Sequence, residues 1–175
     1  MKKRALLELK RLNPEEFARL PKVPIFFFAD QIRSGHNIGS LFRIADAFKI
    51  GGVYLSNYCV TPPHPEIEKT AIGSSQTVYW EQVENTLDFL IQQKNKGFQL
   101  IGIEQTDQSI QLHEFDINSS QSYILVLGNE VNGIQQELLD ILDYCIEIPQ
   151  FGTKHSLNVS VAAGIVAWHF AKEWF

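Results

Sequence analysis

The chain has 175 residues, 45% of them hydrophobic and 20% charged, with a formal net charge of −5 at neutral pH. That length suits one domain with a real core, and the charge excludes a general polycation. Two cysteines without a CxxC pattern argue for a reducing compartment and against a disulfide scaffold.

The first eleven residues, MKKRALLELKR, hold five Lys/Arg against one Glu, a balance of +4, so the other 164 carry −9. A basic segment on an acidic body meets a polyanion locally, or it is a solvated amphipathic helix. No apolar h-region follows it, so it does not read as a secretory signal. IFFFA is far too short to span a bilayer, and the chain reads as cytoplasmic.

Helical spacing runs over 3–19, with Asn13-Pro14 as a start signal for a second short turn. PKVPIFFFAD is a Pro-bounded buried strand. Residues 37–50 put Ile38, Leu41, Phe42, Ala45 and Phe48 on one helical face. Gly51-Gly52 is predicted to end that helix in the left-handed region. GVYLS is the next strand, TPPHPEIEK a rigid loop into a short helix, VYW a short strand, and 83–95 a helix stopping at Gly97. FQLIGIE, YILVLG and YCIEI are further strands. Residues 133–142 form a helix, and the last helix starts near Asn158. Apolar strands alternating with helices predict an α/β fold with a mostly parallel sheet flanked by helices. Residues 1–22 read as a short helical extension and 23–175 as the main domain.

In such sheets ligands bind beyond the carboxyl ends of the strands. The loops there are DQIRSGHN, QTD, NEVNG and PQFGTKHSLN. No GxGxxG follows the first strand, and GxxxxGK[ST] and GxSxG are absent, which argues against dinucleotide, P-loop and α/β-hydrolase sites. The scattered His and Cys give no metal site.

Three features remain. Asn37 is either the N-cap of its helix or a site residue. Arg43 lies about 140° around that helix from Ile38 at roughly 100° per residue, and is either a surface charge or faces a phosphate. In GNEVNG, Gly128 permits close backbone approach to a ligand, and Glu130 faces solvent or orients a partner. In the last loop, Ser156 or Asn158 caps the final helix or serves a site, beside Lys154 and His155.

These stretches closely resemble the three motifs of the SpoU/TrmH family of RNA ribose 2'-O-methyltransferases, in the SPOUT superfamily. HNIGSLFRIADAFKIGGVYL carries the family's Asn at Asn37 and its Arg at Arg43. LVLGNEVNGI fits G-x-E-x-x-G-[ILM], with Glu130. IPQFGTKHSLNVSVAAGI carries the S-L-N-V-S core at 156–160. The order and spacing fit over about residues 24–172. The resemblance leads to the expectation of a chain near the catalytic minimum, without the separate RNA-binding domain that larger members carry.

The resemblance implies a deep C-terminal trefoil knot, an expectation that pattern alone would not raise. It implies S-adenosyl-L-methionine as cofactor, held by Gly128, Ile148 and Leu157, with no metal. The implied catalytic set is Asn37, Arg43, Glu130, Ser156 and Asn158. Arginine stays protonated in proteins. Arg43 is therefore expected to grip an RNA phosphate, while Asn37, Ser156 or a water carries the ribose proton and Glu130 orients Arg43 or Asn37. Lys2, Lys3, Arg4, Lys10, Arg11, Arg33 and Lys154 are the candidate RNA contacts. The substrate is expected to be tRNA rather than rRNA, and the assembly a homodimer with its active site at the interface. A catalytically inactive RNA-binding homologue is the alternative, against which the intact motif residues argue.

Overall fold

The structure, a computed structural model, describes residues 1–5, 8 and 12–175. Part of the helical spacing over 3–19, with Lys10 and Arg11, lies outside the described residues. The second short turn is helix α1, Pro14–Arg19. Its capping box is complete: Asn13 Oδ1 accepts from Glu16 N–H at 2.8 Å, and Glu16 Oε2 accepts from Asn13 N–H at 3.0 Å. Phe17 is its buried residue.

The strands are β1 (Val23–Ala29), β2 (Ile50–Ser56), β3 (Trp80–Val83), β4 (Phe98–Ile103), β5 (Ile110–Gln111), β6 (Ser122–Leu127) and β7 (Tyr144–Glu147). They form one sheet in the order β3-β2-β1-β6-β4-β7-β5, and every pairing is parallel. The helices between them are α2 (Gly35–Ala47), α3 (Pro65–Ala71), α4 (Thr86–Asn95), α5 (Gln136–Leu139) and α6 (Val159–Ala171).

Side chains alternate across the sheet with period two. Ile25, Phe27 and Ala29 of β1, with Tyr123, Leu125 and Leu127 of β6, join Ile38, Leu41 and Phe42 of α2 and Val166 and Phe170 of α6 in one cluster. Phe28, Ile124 and Val126 point the other way, to Leu90 of α4 and Leu138 of α5. Each fully buried Leu, Ile or Phe contributes about 1.5–3 kcal/mol relative to exposure, so both helix layers are held by apolar burial.

Three expectations need correction. Helix α2 ends at Ala47, and Lys49, at φ +53°, takes the left-handed position. Gly51 and Gly52 lie inside β2, where a Cβ would come within 2.5 Å of the Phe26 ring and 2.7 Å of Tyr79 O respectively. Close packing, not helix termination, requires them. The helix expected over 133–142 is only α5. Gly133, at φ +66°, is spent in a turn bonded back to Asn129, and Ile141 N–H returns to Leu138 O at 3.1 Å, closing the last turn tightly. The two-residue β5 was not foreseen; it pairs with β7, and Gln111 Nε2 donates to the Glu147 carboxylate.

Candidate active site at the carboxyl ends of the strands

The loops after β4, β6 and β7 enclose a cavity of about 750 Å³. The β6 loop is a tight turn: Asn129 N–H donates to Gly133 O at 3.2 Å and Gly133 N–H to Asn129 O at 3.0 Å. Asn129 Oδ1 accepts from Val131 and Asn132 N–H at 2.9 and 2.7 Å. Glu104, at the end of β4, accepts from Ile134 N–H at 3.1 Å and so ties this turn to its neighbour strand. The β7 loop is different. Residues 149–157 lie outside helices and strands, and among the described residues their backbone forms no bond to another backbone group. Gln105 Nε2 anchors this stretch by donating to His155 O at 2.9 Å.

Gly128, Ile148 and Leu157 all line the cavity, as do Glu130, Ser156 and Asn158. The reason for Gly128 differs from the expectation. A Cβ there would lie 2.1 Å from the Gly133 carbonyl carbon and 2.3 Å from Ile134 N. The glycine permits the turn to close on itself, not a ligand to approach.

Asn37 is not the N-cap of α2; Ser34 is, and its Oγ accepts from Asn37 N–H at 3.3 Å. That places Asn37 in the first turn, 9% exposed, with its side chain turned toward the cavity loops. Its Nδ2 donates to Glu130 Oε1 at 2.7 Å, and its Oδ1 accepts from Asn158 Nδ2 at 3.2 Å. The other end of Asn158 caps α6, accepting from Ser160 N–H at 2.9 Å and from Ser160 Oγ at 2.6 Å. One polar chain, Glu130–Asn37–Asn158, thus joins all three motifs.

Arg43 is not part of it. It is exposed on α2 and lines a separate groove of about 430 Å³ with Lys69 and Gly164. Lys2, Lys3, Arg4, Arg33 and Lys154 are exposed. Sequence reasoning missed Glu104 and Gln105, although their place directly after a strand was the available signal. It also missed Asp30, which follows β1, is 2% exposed, and accepts from Gln135 Nε2 at 3.4 Å. Burial pushes the Asp30 carboxyl up to about 6. The same cause raises the Cys59 and Cys145 thiols.

The cavity fits a nucleoside-bearing cofactor. Its volume lies within the usual range for small-molecule sites. Leu127, Ile134, Ile146, Ile148 and Leu157 give apolar walls, and the backbone of 149–157 has N–H and C=O groups free to bond a ligand. Among the described residues no cluster of three or more His, Cys, Asp or Glu converges as a metal site, and no helix is long and apolar enough to cross a membrane.

The pattern of the SpoU rRNA Methylase family matches residues 24–168. The tRNA (guanosine(18)-2'-O)-methyltransferase of Aquifex aeolicus is 34% identical over 171 residues, covering 94% of this chain and 76% of that protein. The 23S rRNA (guanosine-2'-O-)-methyltransferase RlmB of Neisseria meningitidis is 33% identical, and the match covers 84% of this chain but 58% of that one. Among solved structures, the A. aeolicus TrmH/SpoU tRNA modifying enzyme superposes with a TM-score of 0.81 at 30% identity, covering 91% of this chain and 80% of that one. An AdoMet-bound rRNA methyltransferase from Sinorhizobium meliloti gives 0.80 at 26% identity, covering 91% and 60%. By its three motifs, its parallel sheet and these likenesses, the chain belongs to the SpoU rRNA Methylase family.

Proposed function

We propose that this chain is an S-adenosyl-L-methionine-dependent RNA ribose 2'-O-methyltransferase, acting on tRNA in preference to rRNA. The observation that carries it is the Glu130–Asn37–Asn158 chain, which ties the first motif to a cavity lined by the second and third. The relatives named for guanosine 2'-O-methylation support the reaction, and those named for tRNA support the substrate.

The cofactor supplies a methyl group on a sulfonium. The chain's own residues do the rest. The apolar walls, with the backbone of Gln150 and of His155–Leu157, hold the donor. Glu130 fixes which way the Asn37 amide faces, because it accepts only from the NH2 end. Asn158 then bonds the carbonyl end, so the pair is a preorganised edge for the ribose. Ser156, with no side-chain bond among the described residues, accepts a hydrogen bond from the ribose hydroxyl and relays its proton through a water to solvent. Positioning of this kind accounts for several kcal/mol of barrier reduction, up to about 7–11 in the best cases.

Arg43, always charged, grips an RNA phosphate. Its separation from its own cavity supports a homodimer in which Arg43 of one copy serves the cavity of the other. Exposed Val161, Ile165 and Trp168 on one stripe of α6 support such an interface. The reading also places a trefoil knot in the C-terminal half, assigns residues 1–22 to an extension of the domain over 23–175, gives Arg33 and Lys154 to RNA, and sets the enzyme in the cytoplasm.

Arg43→Ala is expected to keep cofactor affinity in calorimetry and to lose at least about 100-fold in methyl transfer to tRNA transcripts. Co-assembly of Arg43→Ala with Asn37→Ala chains is expected to restore transfer, since one hybrid site has both residues intact. Loss of cofactor binding in folded Arg43→Ala sinks this division of labour. Wild-type protein that binds cofactor and tRNA without transferring methyl is the inactive homologue instead.

A further inference from the structure

We infer that the groove between α2, α3 and α6 is an RNA phosphate site in which Lys69 acts beside Arg43. The inference rests on the methyltransferase reading and extends its RNA-binding face.

The groove is built by a close helix crossing. At Gly39 of α2, a Cβ would lie 2.1 Å from Thr70 Oγ1 and 2.4 Å from Ile67 O of α3. Only glycine lets the helices approach so far. Thr70 Oγ1 donates to His36 O at 3.0 Å, locking the crossing. Arg43 lies four residues, about one turn, beyond Gly39, and Lys69 is next to Thr70. Both cations therefore line one concavity, with Ser40 and Thr70 beside them and Ile44, Phe48 and Gly164 as its apolar part.

Both cations are exposed. Among the described residues neither has a carboxylate within ion-pair distance. The acids of these helices are engaged elsewhere. Glu66 pairs with His36 at 3.5 Å, Glu68 accepts from Ser75 Oγ at 2.9 and 3.0 Å, and Asp46 lies near Lys22. On a chain of net charge −5, two cations lining one groove with no carboxylate in ion-pair contact offer a local site whose fitting ligand is anionic. The apolar part favours a nucleotide unit over a free anion: Arg43 matches a phosphate with its planar fork, Lys69 with a point charge.

The test is filter binding of in vitro transcribed tRNA over a range of KCl concentrations. Lys69→Ala is expected to weaken binding on the order of three- to tenfold and to lower the logarithmic salt slope by about one unit. Lys69→Arg is expected to keep the slope. Cofactor affinity by calorimetry and mass by light scattering are expected to match wild type, which a folding defect would not allow. A wild-type slope in Lys69→Ala overturns the site. So does a change of oligomeric state at unchanged slope, which would assign the groove to a second copy. Failure of wild-type protein to bind tRNA overturns the methyltransferase reading itself, a result distinct from either.

Discussion

The side chain of Asn158 serves two elements through its two ends. Its oxygen caps α6 and its amide nitrogen reaches Asn37. Removing an Asn cap costs about 1 kcal/mol, so stability and site geometry share one residue. Asp30 is the costlier residue. Its carboxyl is raised from 3.8 to about 6 by burial, with Gln135 opposing the shift and Glu137 adding to it. The native state therefore holds this proton more tightly than the unfolded chain. Stability falls as pH rises from about 4 to 6, by at most about 3 kcal/mol. Asp30→Asn keeps an acceptor for Gln135 without the charge. It is expected to be more stable than wild type at pH 7, by roughly 1–3 kcal/mol, and to flatten the pH 4–6 slope of the urea midpoint. An Asp30→Asn protein with the wild-type slope would show that another group titrates there.

Among elements, the turn after β6 is the least forgiving. It is held by the Asn129–Gly133 pair and by Glu104 on Ile134. The space over Gly128 is filled by the backbone of Gly133 and Ile134, which cannot swing aside as a side chain can. Gly128→Val is expected to destabilise the protein by about 1–3 kcal/mol and to lower affinity for S-adenosylhomocysteine at least about tenfold, because the displaced turn is a cavity wall. Calorimetry on the folded variant checks it; unchanged affinity would show that this turn does not build the cofactor pocket. The β7 loop carries the opposite design. Its backbone makes no internal ladder and is held by side chains at its margins. Such a segment can present both donors and acceptors to a ligand.

At the scale of the whole molecule, charge is divided: +4 in the first eleven residues against −9 in the rest. An acidic body repels a polyanion except where cations concentrate, which confines RNA to chosen faces. Lys2, Lys3 and Arg4 are exposed, and no motif of the cavity includes them. Neutralising all three is expected to weaken tRNA binding and lower the salt slope by up to about three units, one per lost phosphate contact. Cofactor affinity is expected to stay at the wild-type value. An unchanged slope would mark the segment as a solvated face.

Six of the seven strands, the order of the helices and the three motif loops are legible in the amino-acid sequence. Those features are written in local periodicity, in turn residues and in spacing along the chain. The loops that line the cavity were legible for a related reason, since ligand sites of a parallel sheet follow strand ends, although Glu104 and Gln105 within them were passed over. The meetings between distant residues arise only when the chain is folded. Asn37 and Glu130 are 93 positions apart, and Asn37 and Asn158 are 121 apart. Their contact follows from β6 lying beside β1 and from α6 packing on α2, and periodicity carries no strand order. Arg43 was expected with the catalytic set because it shares a motif with Asn37. Six helical residues turn a side chain by about 240°, and the fold sends the two into different concavities. The glycines tell the same story. Gly51, Gly52 and Gly128 were read from what glycine permits in a backbone, but their need comes from a ring, a carbonyl or a turn that only the folded chain brings against them.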